Sequence, residues 1–170
     1  MTETFRDSFL DHLYYDNWKK KNITMKPKIY IASKTYNAEI IKEFRDKNSD
    51  KFECTSSWIE LSPDSYFVQH EKGKLWSLCM QDIKRCDFLI LYNHSYEDDH
   101  NGAIAEIGIA MGLSKEIFEV GKSFRTTACE TSDVAYTHHG FYHKLEQTTL
   151  DDALKLLMKT TDYWGIIDEK

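Results

Sequence analysis

Apolar residues along the chain follow two spacings, and their alternation predicts an α/β protein. Consecutive or alternating apolar residues are typical of strands, and such runs occur at 28–33, 52–58, 87–92, 116–120 and 140–143. Apolar residues three or four apart predict helices at 3–21, 37–47, 70–86, 103–113 and 150–158. Because strands alternate with helices, we predict a Rossmann-like or flavodoxin-like parallel sheet of about five strands with helices on both faces.

The length of 170 residues suits one domain with one hydrophobic core. Pro27 separates the first predicted helix from the first predicted strand. We therefore predict an N-terminal helical extension at 1–26 and a single α/β domain at 27–170. The sequence shows no internal repeat and no linker that would indicate a second domain.

The net charge and the cysteines indicate which partners and which cellular compartment the sequence favours. The net charge of −6 argues against a nucleic-acid polymer or an anionic membrane as partner, because both require a basic surface. The four cysteines form no CxxC pair, which favours a reduced, intracellular protein. No apolar run approaches the ~20 residues of a membrane span, and the first residues do not resemble a signal peptide. These features predict a cytoplasmic protein.

Three candidate binding residues follow or end predicted strands, at the edge where parallel sheets bind ligands. They are Ser33, Trp58 and Asn93. Ser33 and Asn37 offer a hydroxyl and an amide next to a helix N-terminus, which suits a phosphate but equally suits a helix cap. Trp58 suits stacking on a base or packing in the core. The sequence leaves both interpretations of each residue open.

Glu106 is the carboxylate that the sequence singles out. It lies near the start of the predicted helix at 103–113, among alanines and isoleucines, so we predict that it is partly buried. A partly buried carboxylate requires a partner or a catalytic task. Gly102 and Gly108 flank it and leave room for a ligand or another backbone. A structural role, as a helix cap or as a hydrogen-bond partner of a loop, is the alternative.

The segment GAIAEIGIAMGLSK, from Gly102 to Lys115, resembles the signature of the nucleoside 2-deoxyribosyltransferase superfamily, which includes deoxynucleoside 5′-monophosphate N-glycosidases. In that family a glycine turn precedes a Glu-x-Gly-x-Ala helix and a lysine that leads into the next strand. Looser similarity covers KIYIAS at 28–33, QDIKRCD at 81–87 and the region 141–153. The resemblance implies that 27–170 is a deoxyribosyltransferase-like domain.

The family implies cleavage of the N-glycosidic bond of a (deoxy)nucleoside or nucleoside monophosphate, with transfer to another base or to water. Glu106 is the implied nucleophile, which forms a covalent glycosyl ester. Asp87 matches a family acid near the base that helps the leaving group, whereas from the sequence it equally suits a cap at a helix–strand junction. The family also implies a homo-oligomer, in which Tyr142 and His143 reach the neighbouring subunit's site.

One position departs from the family pattern. The family often carries an Asp two residues before the turn glycine, where this chain has His100, preceded by Asp98 and Asp99. Asp99, His100 and Gly102 are therefore candidate substrate-binding residues. An Asp would hold the sugar hydroxyls, and His100 would contact a phosphate or act as acid–base. The departure also favours a rival hypothesis, a nucleotide-binding or sensing module without catalysis.

No cofactor is predicted. The histidines at 138–143 have no second cluster of carboxylates or cysteines at ligand spacing, so the sequence argues against zinc. The sequence has no GxGxxG turn, which sets a conventional Rossmann dehydrogenase aside. A third hypothesis, by analogy with other Glu-dependent N-glycosidases, is hydrolysis of a dinucleotide such as NAD.

Overall fold

Strands and helices alternate in the structure. The computed structural model describes residues 26–62, 64–65, 70–93, 101–121, 142–146 and 149–163. Its strands are β1 (Lys28–Ala32), β2 (Glu53–Cys54), β3 (Phe88–Asn93), β4 (Glu116–Gly121) and β5 (Tyr142–Glu146). Its helices are α1 (Ala38–Lys47), α2 (Lys72–Arg85), α3 (Asn101–Gly112) and α4 (Leu150–Tyr163). Two 3-10 turns cover Thr35–Asn37 and Ser57–Glu60.

The strands pair in parallel, in the order β2-β1-β3-β4-β5. This is the order of flavodoxin-like sheets, so the predicted fold class is confirmed. Because β2 and β3 lie on opposite sides of β1, right-handed crossovers place α1 on one face of the sheet and α2 and α3 on the other. Lys26–Lys155 form one compact unit. The helix predicted at 3–21 lies outside the described residues, and the predicted domain boundary stays a prediction.

β1 and β3 form the buried centre of the sheet. Every residue of β1 from Ile29 to Ala32 is 0% exposed, because helices cover both faces of a doubly wound sheet. Side chains of paired residues in a parallel sheet point to the same face, so Tyr30 shares a face with Leu89 and Ile117. A buried tyrosine hydroxyl requires a hydrogen-bond partner, and for Tyr30 it must come from a helix on that face.

The second strand is shorter than the sequence predicts. The pattern at 52–58 predicts one strand, but pairing with β1 stops at Cys54, and a 3-10 turn begins at Ser57. Ser56 explains the difference: its Oγ accepts a hydrogen bond from the Ile31 amide (2.6 Å) and donates one to the Ile31 carbonyl (3.1 Å). The side chain takes the place of a backbone pairing partner, so the strand ends early.

β3 and β4 end side by side at Asn93 and Gly121. Gly121 has φ +94°, in the left-handed region that favours glycine. A Cβ at this position would lie 2.2 Å from the Asn93 carbonyl oxygen. Glycine is therefore required where these two strands end.

Gly121→Ala is expected to destabilise the protein by at least about 2 kcal/mol, because left-handed backbone strain adds to the clash. Gly108→Ala is the matched control. Gly108 is exposed on α3, and its Cβ would meet no atom within 4 Å. That change is expected to stabilise the protein by about 0.5–1 kcal/mol. Urea denaturation measures both, and equal stability of the two variants would contradict this account.

Candidate active site

The strand order reverses at the carboxyl ends of β1 and β3, and we call this position the crevice. From β1 the chain turns to β2 on one side and later reaches β3 on the other, and ligands of open α/β sheets bind where the order reverses in this way. Ser33 directly follows β1, Asn37 ends the 3-10 turn after it, and Asn93 is the last residue of β3. The structure thus brings these three predicted binding residues to one edge of the sheet.

Ser33 ties the two strand ends together. Its Oγ donates a hydrogen bond to the Tyr92 carbonyl (2.8 Å) and accepts one from Asn37 Nδ2 (2.9 Å). Asn37 is 1% exposed and occupies the N-cap position of α1, but its side chain makes no cap hydrogen bond. The capping alternative for Asn37 is therefore wrong. The side chain instead fixes the loop after β1 against β3.

Asn93 carries a buried hydrogen-bond acceptor without a partner. The residue is 1% exposed, and no donor in the described part of the chain reaches its Oδ1. Strand alternation puts the side chain on the same face as Leu89, and therefore on the face of Tyr30. A buried acceptor left unpaired costs about 1–3 kcal/mol, and a donor from water or from a ligand would remove that cost.

Glu106 lies on the second turn of α3, two residues further into the helix than the sequence predicts, because α3 begins at Asn101 and not at 103. Ala103, Ile107 and Ala110 are buried at helical spacing and form the face of α3 that packs on the sheet. Glu106 borders this face and is 7% exposed. The predicted partial burial of the carboxylate is confirmed.

Three elements contribute polar groups to a buried cluster around Glu106, which we call the carboxylate cluster. From β1, the Tyr30 hydroxyl donates a hydrogen bond of 2.7 Å to Glu106 Oε1. From α2, the Cys79 thiol contributes to lowering the pKa of the Glu106 carboxylate, against the larger effect of burial. Cys79 is 4% exposed and Tyr30 is fully buried. No lysine, arginine or histidine of the described residues forms an ion pair with Glu106.

The cluster contains one group that titrates near neutral pH. Burial raises the pKa of Glu106 from its ordinary value of 4.5 to about 7, and the hydrogen bonds from Tyr30 and Cys79 partly oppose that increase. Burial also raises the pKa of Cys79 to about 12, and together with the Glu106 charge it raises the pKa of Tyr30 well above 10. Tyr30 and Cys79 therefore stay protonated and act as neutral donors to the carboxylate.

Asp87 occupies the opposite edge of the sheet from the crevice. It directly precedes β3, where its Oδ2 accepts a hydrogen bond from the Lys28 amide (2.9 Å) and its own amide donates to the Lys28 carbonyl (2.7 Å). These bonds join the amino ends of β1 and β3. The structure does not bring Asp87 into the carboxylate cluster, and its geometry matches the junction-cap alternative.

Trp58 is a core residue. It is 5% exposed, and its indole N–H donates a hydrogen bond of 3.0 Å to the Ile31 carbonyl. Its ring is buried in the core, and its single hydrogen-bond donor is paired with a backbone carbonyl. The core alternative for Trp58 matches this geometry, and the side chain offers no free face at the crevice for stacking on a base.

His143 lies on the other face of the sheet. It is paired with Phe118 in β4 and stacks on that ring, with ring centroids 4.8 Å apart. Its Nε2 is 3.7 Å from Glu116 Oε2. Phe118 follows Ile117 in β4, and Ile117 shares the face of Tyr30. The side chain of Phe118 therefore points to the opposite face. His143 is therefore not brought to the carboxylate cluster of its own chain, and its predicted role in a neighbouring subunit stays a prediction.

The remaining sequence candidates bear less directly on the site. Gly102 is exposed near the start of α3, and a Cβ there or at Gly108 would meet no atom of the described residues within 4 Å. Tyr142 is the first residue of β5, and its side chain is not described. Asp99 and His100 lie outside the described residues.

Sequence reasoning missed two members of the cluster, Tyr30 and Cys79. Tyr30 carries a local signal, because a tyrosine in the middle of a buried strand needs a partner for its hydroxyl. Cys79 carries none, since a buried cysteine on a helix is ordinarily a small apolar residue. A third buried side chain, Glu119 of β4, is 2% exposed and shares the face of Tyr30 through the pairing of β3 and β4.

Comparison with known proteins gives similarity to solved structures only. No family model matches the chain, and no curated protein matches it. Among solved structures, the chain is similar to a CMP N-glycosidase from Clostridium botulinum, BcmB, with 17% sequence identity and a TM-score of 0.47. The match covers 77% of this chain and 98% of that one.

The described residues contain no group of three or more histidine, cysteine, aspartate or glutamate side chains arranged to hold a metal ion. They also contain no helix with the length and apolar character needed to cross a membrane.

Glu106→Gln is expected to stabilise the protein at pH 8. The folded state binds the Glu106 proton more tightly than the unfolded state does, because the pKa is about 7 in the folded state against an ordinary value of 4.5. The free energy of unfolding therefore falls as pH rises from 4.5 to about 7 and loses no more above that pH. Removing the charge should recover about 3 kcal/mol at pH 8 and almost nothing at pH 4. Urea denaturation at the two pH values measures this, and a variant less stable than the wild type at pH 8 would refute the burial argument.

Proposed function

We propose that this protein cleaves the N-glycosidic bond of a (deoxy)nucleoside or nucleoside monophosphate, with Glu106 as the nucleophile. The observation that carries the proposal is a buried carboxylate that neutral donors hold in place. The Tyr30 hydroxyl fixes Oε1 of Glu106 at 2.7 Å, and no described cation neutralises the charge. The resemblance of Gly102–Lys115 to the deoxyribosyltransferase signature supports the same role for Glu106.

The proposed reaction has two displacements. A carboxylate oxygen of Glu106 attacks C1′ of the sugar, the C1′–N bond breaks, and its electron pair leaves with the base, which takes up a proton. Water or an acceptor base then attacks C1′ of the glycosyl ester and loses a proton, and the Glu106 carboxylate is released. The hydrogen bond from Tyr30 weakens as the charge is lost in the ester and strengthens again as it returns.

Burial gives Glu106 its proposed reactivity. A carboxylate paired with a cation is stabilised by it, has a lower pKa and is a weaker nucleophile. In the carboxylate cluster the pKa of about 7 leaves a substantial ionised fraction at neutral pH while keeping the anion poorly solvated. The anion is therefore available and reactive at the same time.

The crevice residues are the proposed substrate contacts. Asn93 Oδ1 would accept a hydrogen bond from a sugar hydroxyl or from an amino group of the base. The N-cap residues Lys34 and Asn37 make no side-chain cap hydrogen bond, and the start of α1 is the proposed contact of a 5′-phosphate. Asp99 and His100 stay the candidates for the sugar hydroxyls and for protonating the base.

A nucleotide-binding module without catalysis is the second candidate. It is favoured by the 7% exposure of Glu106 and by the position of Asp87, which leaves no leaving-group acid among the described residues at the crevice. Calorimetry separates the two functions: tight binding of a nucleotide without base release indicates the module.

Incubation with each (deoxy)nucleoside and its 5′-monophosphate, with and without a free acceptor base, is expected to give base release or base exchange. Glu106→Ala should lower the rate by more than about 1000-fold, because it removes the nucleophile. Glu116→Gln is the matched control, since Glu116 is a half-buried carboxylate on the other face of the sheet, near His143. Unchanged rates in Glu106→Ala would refute the proposal.

The pH dependence of kcat/KM is expected to show an acidic limb at about pH 7, below which the rate falls tenfold for each pH unit. The sign follows from the role: a nucleophile must be ionised, so activity is present above the pKa of Glu106 and is lost as pH falls through it. Initial rates between pH 5 and pH 9 measure the limb. A rate that rises as pH falls below about 7 would assign Glu106 the role of an acid instead.

A further inference from the structure

We propose that Asn93 Oδ1 accepts a hydrogen bond from the 3′-hydroxyl of the sugar, and that the protein thereby selects substrates whose 3′-hydroxyl is free. This inference rests on the proposed function and names the substrate group that one of its contacts recognises. Asn93 is the last residue of β3 and reaches the crevice from the sheet itself. Its side chain lies on the same face of the sheet as Tyr30, whose hydroxyl binds Glu106.

The acceptor of Asn93 differs from that of another buried asparagine. Asn48 and Asn93 are each 1% exposed. Asn48 Oδ1 accepts a hydrogen bond from Lys51 Nζ (2.8 Å), and its Nδ2 donates one to the Phe44 carbonyl (3.0 Å). No donor of the described residues reaches Asn93 Oδ1. Holding the fold together accounts for the amide of Asn48, whereas Asn93 carries an acceptor that the described part of the fold does not use.

The residues of β4 nearest to Asn93 supply no donor to it. Its register partner is Gly121, so the neighbouring strand has no side chain at this level. Glu119, two residues earlier on β4, shares this face, and an ionised carboxylate accepts hydrogen bonds but donates none. Glu116 Oε2 is a further buried atom without a described hydrogen-bond partner, but it lies on the opposite face, near His143. Asn93 is therefore suited to a ligand group that donates.

The stereochemistry of the proposed attack puts the sugar hydroxyls on the side of Glu106. In a displacement that forms a glycosyl ester, the carboxylate approaches C1′ from the side opposite the leaving base. The base of a natural nucleoside is on the β face of the sugar, so Glu106 approaches the α face. The 3′-hydroxyl, and in ribose also the 2′-hydroxyl, projects from this α face. An acceptor on the sheet face that α3 covers therefore meets a sugar hydroxyl and not the base.

The position of Asn93 along β3 favours the 3′-hydroxyl over the 2′-hydroxyl. Asn93 lies four residues beyond Leu89, the register partner of Tyr30, which is about 13 Å along the strand. Side chains of a strand stand roughly perpendicular to the sheet, so the Tyr30 hydroxyl and the carboxylate that it binds lie short of the level of Asn93. The 2′-oxygen is bonded to the carbon next to C1′ and stays beside Glu106. The 3′-oxygen projects farther away, toward Asn93.

A contact with the 3′-hydroxyl defines a substrate class. Ribonucleosides, 2′-deoxyribonucleosides and their 5′-monophosphates all carry a free 3′-hydroxyl. An esterified 3′-oxygen has no proton to donate, and it would leave the buried Asn93 acceptor unpaired. We therefore expect nucleoside 3′-phosphates and 3′–5′-linked strands to be poor substrates.

The test measures kcat/KM of the full-length protein on the four ribonucleoside 5′-monophosphates and on their 3′-deoxy and 2′-deoxy analogues. Wild type should cleave the 3′-deoxy analogue about 10–100-fold more slowly than its parent, the effect of one hydrogen bond to a buried acceptor. Asn93→Ala should slow the parent by a similar factor and leave the 3′-deoxy rate unchanged, because the contact is already missing there. Asn48→Ala is the matched control and should leave the ratio of the two rates as in wild type.

Three results would overturn the proposal. Asn93→Ala slows the parent and its 3′-deoxy analogue equally, which is the result of a purely structural role. Alternatively, the loss in Asn93→Ala disappears with the 2′-deoxy analogue, which assigns the contact to the 2′-hydroxyl. If Asn93→Ala does not fold, wild type decides: equal kcat/KM on the parent and the 3′-deoxy analogue refutes the contact, and a 10–100-fold preference for the parent supports it.

Calorimetry separates this inference from the proposed function. If no substrate releases its base, but wild type binds the 5′-monophosphates more tightly than their 3′-deoxy analogues and Asn93→Ala does not, the proposed function fails while the contact of Asn93 stands. If base release depends on Glu106 and Asn93→Ala keeps the preference for the 3′-hydroxyl, the proposed function stands and the role of Asn93 is refuted.

Discussion

The hydrogen bond from the Tyr30 hydroxyl to the Glu106 carboxylate is the contact on which the rest of the site depends. It links β1, one of the two strands at the buried centre of the sheet, to α3 and satisfies two polar groups that are both buried. The donor is neutral, so the bond orients the carboxylate without cancelling its charge. Burial can then raise the pKa of Glu106 to about 7 while the side chain stays in place. A cation in the position of Tyr30 would have given orientation at the expense of reactivity.

Close packing of helix α3 on the sheet and of the strand ends on one another surrounds this contact with buried residues. Small residues at Ala103 and Ala110 let α3 lie near the sheet, which carries Glu106 down to the level of Tyr30. At the carboxyl ends of the strands, Ser33 ties β1 to β3, and Gly121 lets β4 pass close to Asn93. Two buried polar groups with energetic costs, Glu106 and Asn93, lie on the same face of the sheet. Such costs are typical of a functional site, because natural proteins accept local cost where function requires it.

The sequence predicted much of the fold and the central residue of the site. Apolar spacing reports whether one or two faces of an element are buried, so the alternating strands and helices and the parallel sheet followed from local pattern. Glu106 was found in the same way, as a carboxylate within an apolar helix. The length of the second strand was overestimated because the Ser56 side chain takes the place of a backbone hydrogen-bond partner of Ile31. The pattern of apolar residues does not indicate such a bond. Asp87 was assigned to the site from resemblance, although a residue that precedes a parallel strand lies at the amino edge.

Only the tertiary structure decided which side chains meet. Tyr30 and Glu106 are 76 residues apart along the chain, and their contact depends on the strand order and on the helix that covers β1. The effect of Cys79 on the pKa of Glu106 likewise depends on how α2 packs against α3. Similarly, the pairing of β4 with β5 turns His143 toward Phe118 and Glu116. Spacing along a chain encodes the period of each element, whereas contacts between elements are set by their relative placement, which no local pattern contains.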